Sequence, residues 1–279
     1  ASSAREGGVS CDRRGTRASG GPACYHARVP TPRADQLRTQ VFLVFDRLYD
    51  EAWVGRMRAA ILGIYEDAGS PECHAHQTRE HQPGLHIGPA GFAIPQLLPR
   101  LDPAARIAHP DVVETLRAFL GDAMRLEIAG AVVTDASRPH FGWHNHVGGH
   151  DDGAYRKSGA WPTVDHARRV MTLTYLQDLD DTHGPVRVYP HQVGDPSSPP
   201  HDPKSAHWPG EVVLRPRAGS LVVIEECTWH AVEAATAPDK RIFVGLAYAA
   251  APAEIGGWAD PTIAEVGAHH TDPLLRSLL

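Results

Sequence analysis

The chain contains little sulphur and no long apolar segment. Its 279 residues include four cysteines and three methionines. The cysteines are widely spaced and form no C-x-x-C pair, which argues against a disulfide framework and a thiolate zinc site. No apolar run reaches about eighteen residues, and the N-terminus lacks the order of a secretory signal. We therefore predict a soluble cytoplasmic protein with reduced thiols. The cysteines are Cys11, Cys24, Cys73 and Cys227.

Basic residues are also in the minority. Lys and Arg total 27 against 33 Asp and Glu, which gives a formal net charge of -6. Nothing in the sequence resembles the basic stripe that a phosphate backbone requires, so we expect neither nucleic acid nor a membrane as a partner. Histidine is abundant by contrast, with 18 residues. Most histidines in proteins are not metal ligands, so only a clustered set suggests a metal site.

The composition predicts one folded domain after a loosely attached N-terminal segment. Residues 1–33 are rich in Gly, Ser, Arg and Ala, and we predict that they are disordered or loosely attached. Residues 34–279 contain enough apolar side chains for one core. A strand after Gln40 and a helix capped by Asp50 begin the predicted fold. Residues 70–110 show little periodicity and predict long loops.

The second half of the chain has the pattern of an antiparallel β protein. A helical pattern over 111–120 is followed by short β-branched runs, separated by Gly, Pro and Asp. Because the runs do not alternate with helices, we predict a mainly β, α+β domain: a jelly roll or barrel with N-terminal covering helices. The predicted strands are 125–134, 169–178, 186–190, 211–214, 220–226 and 241–249.

A cluster of histidines follows the first of these strands. The segment 139–152 reads PHFGWHNHVGGHDD and contains His140, His144, His146 and His150. Alternate residues of an extended chain face the same side, so His144 and His146 can point together. His230, from CTWH on a later strand, can complete a set of three. Three ligands leave coordination positions open, as in a catalytic site, and imidazole suits iron, copper, nickel or zinc.

Four features of the chain follow the order seen in a known enzyme family. WHNH at 143–146 stands where that family has W-H-x-D, and HGPVRVYP at 183–190 resembles its N-G-P-L-R-V-I-P. GSLVVIEECTWHAV resembles the strand with the distal His, and Arg241 stands at the position of the cosubstrate anchor. Over residues 40–250 the chain thus resembles the phytanoyl-CoA dioxygenase family of Fe(II)/2-oxoglutarate-dependent oxygenases, which has the double-stranded β-helix (cupin-like) fold.

The sequence departs from the family at the third metal ligand. Position 146 is His where the family has Asp, so the two-histidine, one-carboxylate triad is not reproduced in this frame. Three alternatives remain open. His144, His146 and His230 could form a three-histidine site; Asp152 in H-x-D could supply the carboxylate; or H-V-G, with Gly148, could leave a small residue there, as in related halogenases. Unperturbed imidazoles would lose the metal as the pH falls toward about 6.5.

The resemblance also implies the cofactors and the reaction. We expect Fe(II) held by His144, His146 and His230, and 2-oxoglutarate bound by Arg241, with Thr172 and Thr174 as further contacts. Molecular oxygen and a small organic molecule would be the other partners, and the lid loops would be 147–168 and 191–210. The predicted activity is an oxidoreductase that hydroxylates its substrate. The rivals are a three-histidine cupin-like dioxygenase without 2-oxoglutarate, a halogenase and a non-catalytic metal-binding jelly roll.

Overall fold

A computed structural model describes residues 31–150 and 152–279 of the chain. Most of the predicted N-terminal segment 1–33, with Cys11 and Cys24, therefore lies outside the described residues. Within the described part, Cys73 and Cys227 are buried free thiols. No helix there is long and apolar enough to cross a membrane.

The helices are few and lie mainly at the two ends of the described chain. Thr31 caps α1, and the Asp50 side chain accepts a hydrogen bond from the Trp53 N–H at the start of α2, as the sequence predicts. Gly121, with a φ of 99°, ends α3. The helices are α1 (Pro32–Gln40), α2 (Glu51–Asp67), α3 (Pro110–Leu120), α4 (Gly153–Ser158), α5 (Ile263–Ala268) and α6 (Pro273–Arg276), with a 3-10 turn at Leu98–Arg100.

The strands make up two antiparallel sheets. The larger has eight strands in the order β1-β10-β7-β12-β5-β4-β3-β2, and the smaller has four in the order β6-β11-β8-β9. The strands are β1 (Phe42–Phe45), β2 (Arg79–Gln82), β3 (Leu85–Gly88), β4 (Gly91–Ile94), β5 (Arg125–Thr134), β6 (Phe141–His144), β7 (Arg169–Tyr175), β8 (Val186–Val188), β9 (Val212–Leu214), β10 (Leu221–Glu225), β11 (His230–Val232) and β12 (Arg241–Ala249).

Each face of the larger sheet buries a different apolar layer. One face packs against the helices, where Met57 and Ile61 of α2 share a cluster with Val244 and Leu246 of β12. The other face packs against the smaller sheet and includes Leu173. This arrangement follows from the period-2 alternation of each strand, because successive side chains point to opposite faces. Side chains from the two sheets can therefore contact each other in the space between the sheets.

The mainly β jelly-roll prediction is confirmed, with N-terminal helices covering the larger sheet. β5 and β12 have the predicted bounds, and the other four predicted strands differ from theirs by a few residues at most. The prediction of long loops over 70–110 is wrong, since β2, β3 and β4 extend the larger sheet there. These strands have four residues each, which is too short for a clear alternation. Helix α1 was also not predicted.

Candidate metal centre

The smaller sheet brings two of the predicted ligands directly opposite each other. His144 ends β6, His230 begins β11, and the two residues are partners in the antiparallel register. Their ring centroids lie 4.0 Å apart. Facing residues of neighbouring strands have adjacent side chains, so the two imidazoles meet although they are 86 positions apart in the sequence. The strand pairing therefore fixes two corners of the site.

His146 reaches the same place from a turn after β6. Its N–H donates to the Glu226 carbonyl at 2.9 Å, and its carbonyl accepts from the Gly149 N–H at 2.9 Å. Gly148 and Gly149 have φ values of 80° and 70°, a region that favours glycine, and a Cβ on Gly149 would lie 2.8 Å from Arg169 Nε. The V-G-G after His146 thus permits the tight return of the chain.

The three histidines form a group that could hold a metal ion. One ring nitrogen from each of His144, His146 and His230 lies within 4.8 Å of the others. His144 Nδ1 and His230 Nδ1 each lie 2.9 Å from a main-chain carbonyl, that of Gly142 and that of Thr228 respectively. Because a carbonyl can only accept, each Nδ1 carries the proton and each Nε2 keeps a free lone pair. This is the tautomer that a metal ligand needs.

Burial keeps these imidazoles neutral. It lowers the pKa of His144 to about 4, with the charge of Arg156 adding to the effect. It also holds the pKa values of His146 and His230 well below 6.5, and there repulsion from the neighbouring rings adds to the effect. A neutral imidazole is the form that binds metals. The donor set and its protonation state both fit a metal with imidazole ligands.

The two alternatives for the third ligand position, Asp152 in H-x-D and Gly148 in H-V-G, do not match this geometry. The Asp152 carboxylate accepts from Arg156 Nε at 2.6 Å and from Arg156 Nη2 at 2.7 Å, and it is not a member of the three-histidine group. The Gly148 N–H donates to Glu226 Oε2 at 2.8 Å. His140 Nδ1 instead lies 4.0 Å from Glu233, also outside the group.

Arg241 occupies the interior between the two sheets without a carboxylate partner. It is 3% exposed, and its guanidinium lies 5.1 Å from the Tyr175 ring centroid and 5.7 Å from that of Phe243. Nη2 donates a long hydrogen bond of 3.4 Å to the Tyr175 hydroxyl, and Nε has no partner. Burial lowers the pKa of Arg241, yet within residues 31–150 and 152–279 it forms no ion pair. A buried cation of this kind is a natural place for an anion.

The structure does not bring Thr172 and Thr174 to Arg241. Thr174 is paired with Val244 across β7 and β12, and Thr172 is paired with Leu246 and donates to its carbonyl at 3.3 Å. Val244 and Leu246 belong to the layer under the helices, whereas Arg241 lies on the other face. The residue of β7 that contacts Arg241 is Tyr175. The expected contacts of Thr172 and Thr174 with a cosubstrate at Arg241 therefore do not match the face on which their side chains lie.

A second buried arginine lies near Arg241 and was missed by the sequence analysis. Arg138 is 3% exposed, and its Nη2 donates to the Glu233 carbonyl at 2.6 Å. Burial, and then the charge of Arg241, lower the pKa of Arg138 to about 9. Its place in a polar loop before β6 gave no sequence signal of burial. The guanidinium groups of Arg138 and Arg241 thus lie near each other in the interior.

A pocket opens beside His146. Its walls include Met171, Ala247, Glu226 and Trp258, and the ring centroid of Trp258 lies 4.9 Å from that of His146. The predicted lid loops contribute less here than we expected. Within 147–168 and 191–210, Trp161 and Trp208 pack with Trp143 and Trp229, on the side of the smaller sheet opposite to the histidines. Gly149 is the residue of those loops that lines the pocket.

Comparisons with known proteins support the fold. The chain is similar to HygX from Streptomyces hygroscopicus, whose structure has nickel and 2-oxoglutarate bound, at 14% identity and a TM-score of 0.56, over 81% of this chain and 88% of HygX. It is also similar to EctD from S. alaskensis in its apoform, at 16% identity and a TM-score of 0.60, over 85% and 84%.

A third similar structure is the non-heme alpha ketoglutarate dependent carbocyclase SnoK from nogalamycin biosynthesis, at 18% identity and a TM-score of 0.55, over 83% of this chain and 88% of SnoK. No protein-family model and no curated protein matches the sequence. At these identities the likeness establishes the fold, so the chemistry of this chain has to be argued from its own residues.

Proposed function

We propose that the protein is a non-haem iron, 2-oxoglutarate-dependent oxygenase that oxidises a small molecule at a three-histidine centre. The observation that carries this proposal is a group of three neutral imidazoles, of which His230 is buried and His144 and His146 are half-buried, together with Arg241. Arg241 is a buried guanidinium that has no anionic partner in the described part of the chain. Support also comes from the resemblance of its motifs to the phytanoyl-CoA dioxygenase family. HygX is a structural neighbour with nickel and 2-oxoglutarate bound.

His144, His146 and His230 would hold the iron. With His144 Nδ1 and His230 Nδ1 bonded to carbonyls, their Nε2 atoms are oriented by the backbone rather than by a flexible side chain. When bound, the metal supplies Lewis acidity and one-electron chemistry with oxygen, which side chains alone do not provide. The protein orients the metal and the cosubstrate, excludes water from them and supplies the positive charge of Arg241.

Three neutral ligands leave the full charge of a divalent ion uncompensated by the protein. A site with one carboxylate would carry a net charge of about +1, whereas three imidazoles leave about +2. An anionic cosubstrate is therefore attracted more strongly than in a carboxylate-containing site. We infer that this centre depends on the carboxylate of 2-oxoglutarate for part of its charge balance.

Arg241 would bind the far carboxylate of 2-oxoglutarate. A guanidinium presents a planar fork of donors that matches a carboxylate in a bidentate manner, and its Nε has no present acceptor. The Tyr175 hydroxyl lies 3.4 Å from Arg241 Nη2 and can donate to the same oxygen. Leu173 and Phe243 pack nearby in the apolar layer between the sheets, which excludes water and strengthens the ion pair.

A three-histidine dioxygenase that takes its electrons from the substrate is the second candidate. The histidine at position 146 favours it, because within residues 31–150 and 152–279 no carboxylate belongs to the metal-binding group. The buried and unpaired Arg241 favours the 2-oxoglutarate enzyme, because a substrate-only dioxygenase has no need of a second carboxylate site. Formation of succinate during turnover separates the two.

Anaerobic titration with Fe(II) and 2-oxoglutarate tests the proposal. We expect a weak visible charge-transfer band that appears only when both are present and saturates at one iron per chain. Arg241→Met should require more 2-oxoglutarate for the same band, and Thr172→Val, on the other face of the sheet, should not. An iron-loaded protein that develops no band at any 2-oxoglutarate concentration would refute the cosubstrate assignment and leave the second candidate.

A further inference from the structure

The third histidine lacks the orienting hydrogen bond that the other two have. His144 Nδ1 and His230 Nδ1 each have a main-chain carbonyl at 2.9 Å, whereas His146 Nδ1 is buried without a hydrogen-bond partner among the residues that the structure describes. Ligand histidines almost always donate their second ring N–H to a carboxylate, carbonyl or water, which fixes the ring and raises its basicity. An acceptor for the His146 ring is therefore needed once that ring binds a metal.

Glu226 holds the turn that carries His146. Its carbonyl accepts from the His146 N–H at 2.9 Å, and its side-chain Oε2 accepts from the Gly148 N–H at 2.8 Å. Arg169 Nη1 lies 3.5 Å from the same Oε2 and fixes the carboxylate from the other side. Glu226 thus accepts hydrogen bonds from the turn on both sides of Val147. Glu226 is 4% exposed, so this contact lies inside the protein.

The second oxygen of this carboxylate has no hydrogen-bond partner in the described part of the chain. Glu226 Oε1 is buried without a hydrogen bond, and Glu226 and His146 line the same pocket. A buried carboxylate oxygen without a donor is costly, as is a buried imidazole N–H without an acceptor. Glu225 Oε1 is also free beside this pocket, but among the described residues Glu226 is the glutamate whose carbonyl and carboxylate are hydrogen-bonded to the turn that carries His146. The free Oε1 of Glu226 and the free Nδ1 of His146 therefore indicate a contact that is made when the ring takes up its metal-binding orientation.

We propose that Glu226 positions the third metal ligand, by holding the 146–148 turn through Oε2 and accepting the His146 Nδ1–H through Oε1. This inference rests on the proposed metal site. Arg169 supports it by pairing with Glu127, whose Oε2 accepts from Arg169 Nε at 3.1 Å. The resembled family has a carboxylate ligand at the position of His146. In this chain the carboxylate of Glu226 would not bind the metal itself but would accept a hydrogen bond from the histidine at that position. Glu226 is a positioning residue, since it acts through His146.

Glu226→Gln separates the two contacts of the carboxylate. The Gly148 N–H requires an acceptor, so the amide oxygen should replace Oε2 and the amide NH2 should then face His146. A donor at that position cannot accept the Nδ1–H, and it favours the tautomer whose Nε2 carries the proton and cannot bind metal. Glu226→Ala also removes the hydrogen bond from the Gly148 N–H to the side chain. The matched control is Glu225→Gln, because Glu225 is also buried with a free Oε1 but bonds to the Cys227 N–H instead.

The test is Co(II) binding by the full chain, followed by the visible ligand-field bands and by the exchangeable ring N–H signals in paramagnetic NMR. We expect Glu226→Gln and Glu226→Ala to weaken Co(II) binding by about 10- to 100-fold and to alter the bands. The parent should show three exchangeable ring signals, and the signal of His146 should be shifted or lost in both variants. Glu225→Gln should match the parent in affinity and spectrum.

The outcomes distinguish the two levels of the proposal. A folded Glu226→Gln protein with parental Co(II) affinity, bands and ring signals would overturn the role of Glu226 alone. Equal losses in Glu226→Gln and Glu225→Gln would also overturn it, because they would show a general effect of acid removal in the core. A parent protein that binds no Co(II) would refute the metal site itself. Thermal unfolding of each apo variant checks that the chain is folded.

Discussion

His144 and His230 are held by the sheet, whereas His146 is held by a turn. The first two lie opposite each other on paired strands and bond through Nδ1 to main-chain carbonyls. His146 lies beyond the end of β6, and its position depends on Glu226 and on two glycines with positive φ. Two of the proposed ligands are thus part of the secondary structure, and the third lies on a turn that Glu226 stabilises. This difference predicts unequal effects when each is changed.

The largest effect should come from His230→Ala. His230 is a member of every arrangement of ligands considered, and its loss removes one of the two ligands fixed by the sheet. We expect Fe(II) affinity to fall by more than about a hundredfold, measured by anaerobic equilibrium dialysis. His140→Ala is the matched control, since its ring lies outside the group, and it should bind iron like the parent. Parental iron stoichiometry in folded His230→Ala would contradict the site.

Changes at position 146 test whether the turn presents a ligand. We expect His146→Ala to lower Fe(II) affinity strongly, and His146→Asp to retain the metal, because a carboxylate there rebuilds the family motif. Asp152→Asn removes a partner of Arg156 and should lower the melting temperature while leaving the iron stoichiometry unchanged. The three-histidine arrangement is wrong if iron survives His146→Ala and is lost in Asp152→Asn.

The strands and the three histidines could be predicted from the sequence, whereas the contacts of Arg241 and the role of Glu226 could not. The strands were predicted because β-branched runs are separated by glycine and proline turns. The H-x-H spacing with a distal His picked out the three histidines that the fold brings together. Thr172 and Thr174 were expected beside Arg241 but lie on the other face, because alternation shows which residues share a face but not which face is inside. Glu226 could not be recognised, since its partners at 146–148 are distant in sequence and adjacent only through the sheet.

Arg241→Met should have a smaller effect than loss of a metal ligand and should act on the cosubstrate alone. Truncating one partner of a buried charge pair costs about 2 to 5 kcal/mol, equivalent to a rise in the 2-oxoglutarate Kd of about 30-fold or more. Isothermal titration of the Fe(II)-loaded protein with 2-oxoglutarate under nitrogen measures this Kd. Iron affinity should be unchanged, because Arg241 does not belong to the three-histidine group. A parental Kd for 2-oxoglutarate in the variant would exclude the anchor role.

The dependence on pH should be the mildest effect near neutrality. Because burial lowers the pKa of His144 to about 4, the folded site stays neutral where free imidazole takes up a proton. The unfolded chain binds protons first, so stability is full above about 6.5 and declines as the pH falls from there toward 4. Metal binding should persist through pH 6, not weaken near 6.5 as unperturbed histidines suggest. Half-loss of Co(II) at pH 6.5 would contradict this burial effect.

The most direct measurement is a crystal structure of the protein grown anaerobically with Fe(II) and 2-oxoglutarate. We predict iron at about 2.0 to 2.2 Å from one ring nitrogen each of His144, His146 and His230, with no protein carboxylate bound to it. The far carboxylate of 2-oxoglutarate should lie on Arg241 and Tyr175. Iron bound by Asp152 in place of His146, or an anion-free Arg241 beside bound 2-oxoglutarate, would contradict the account.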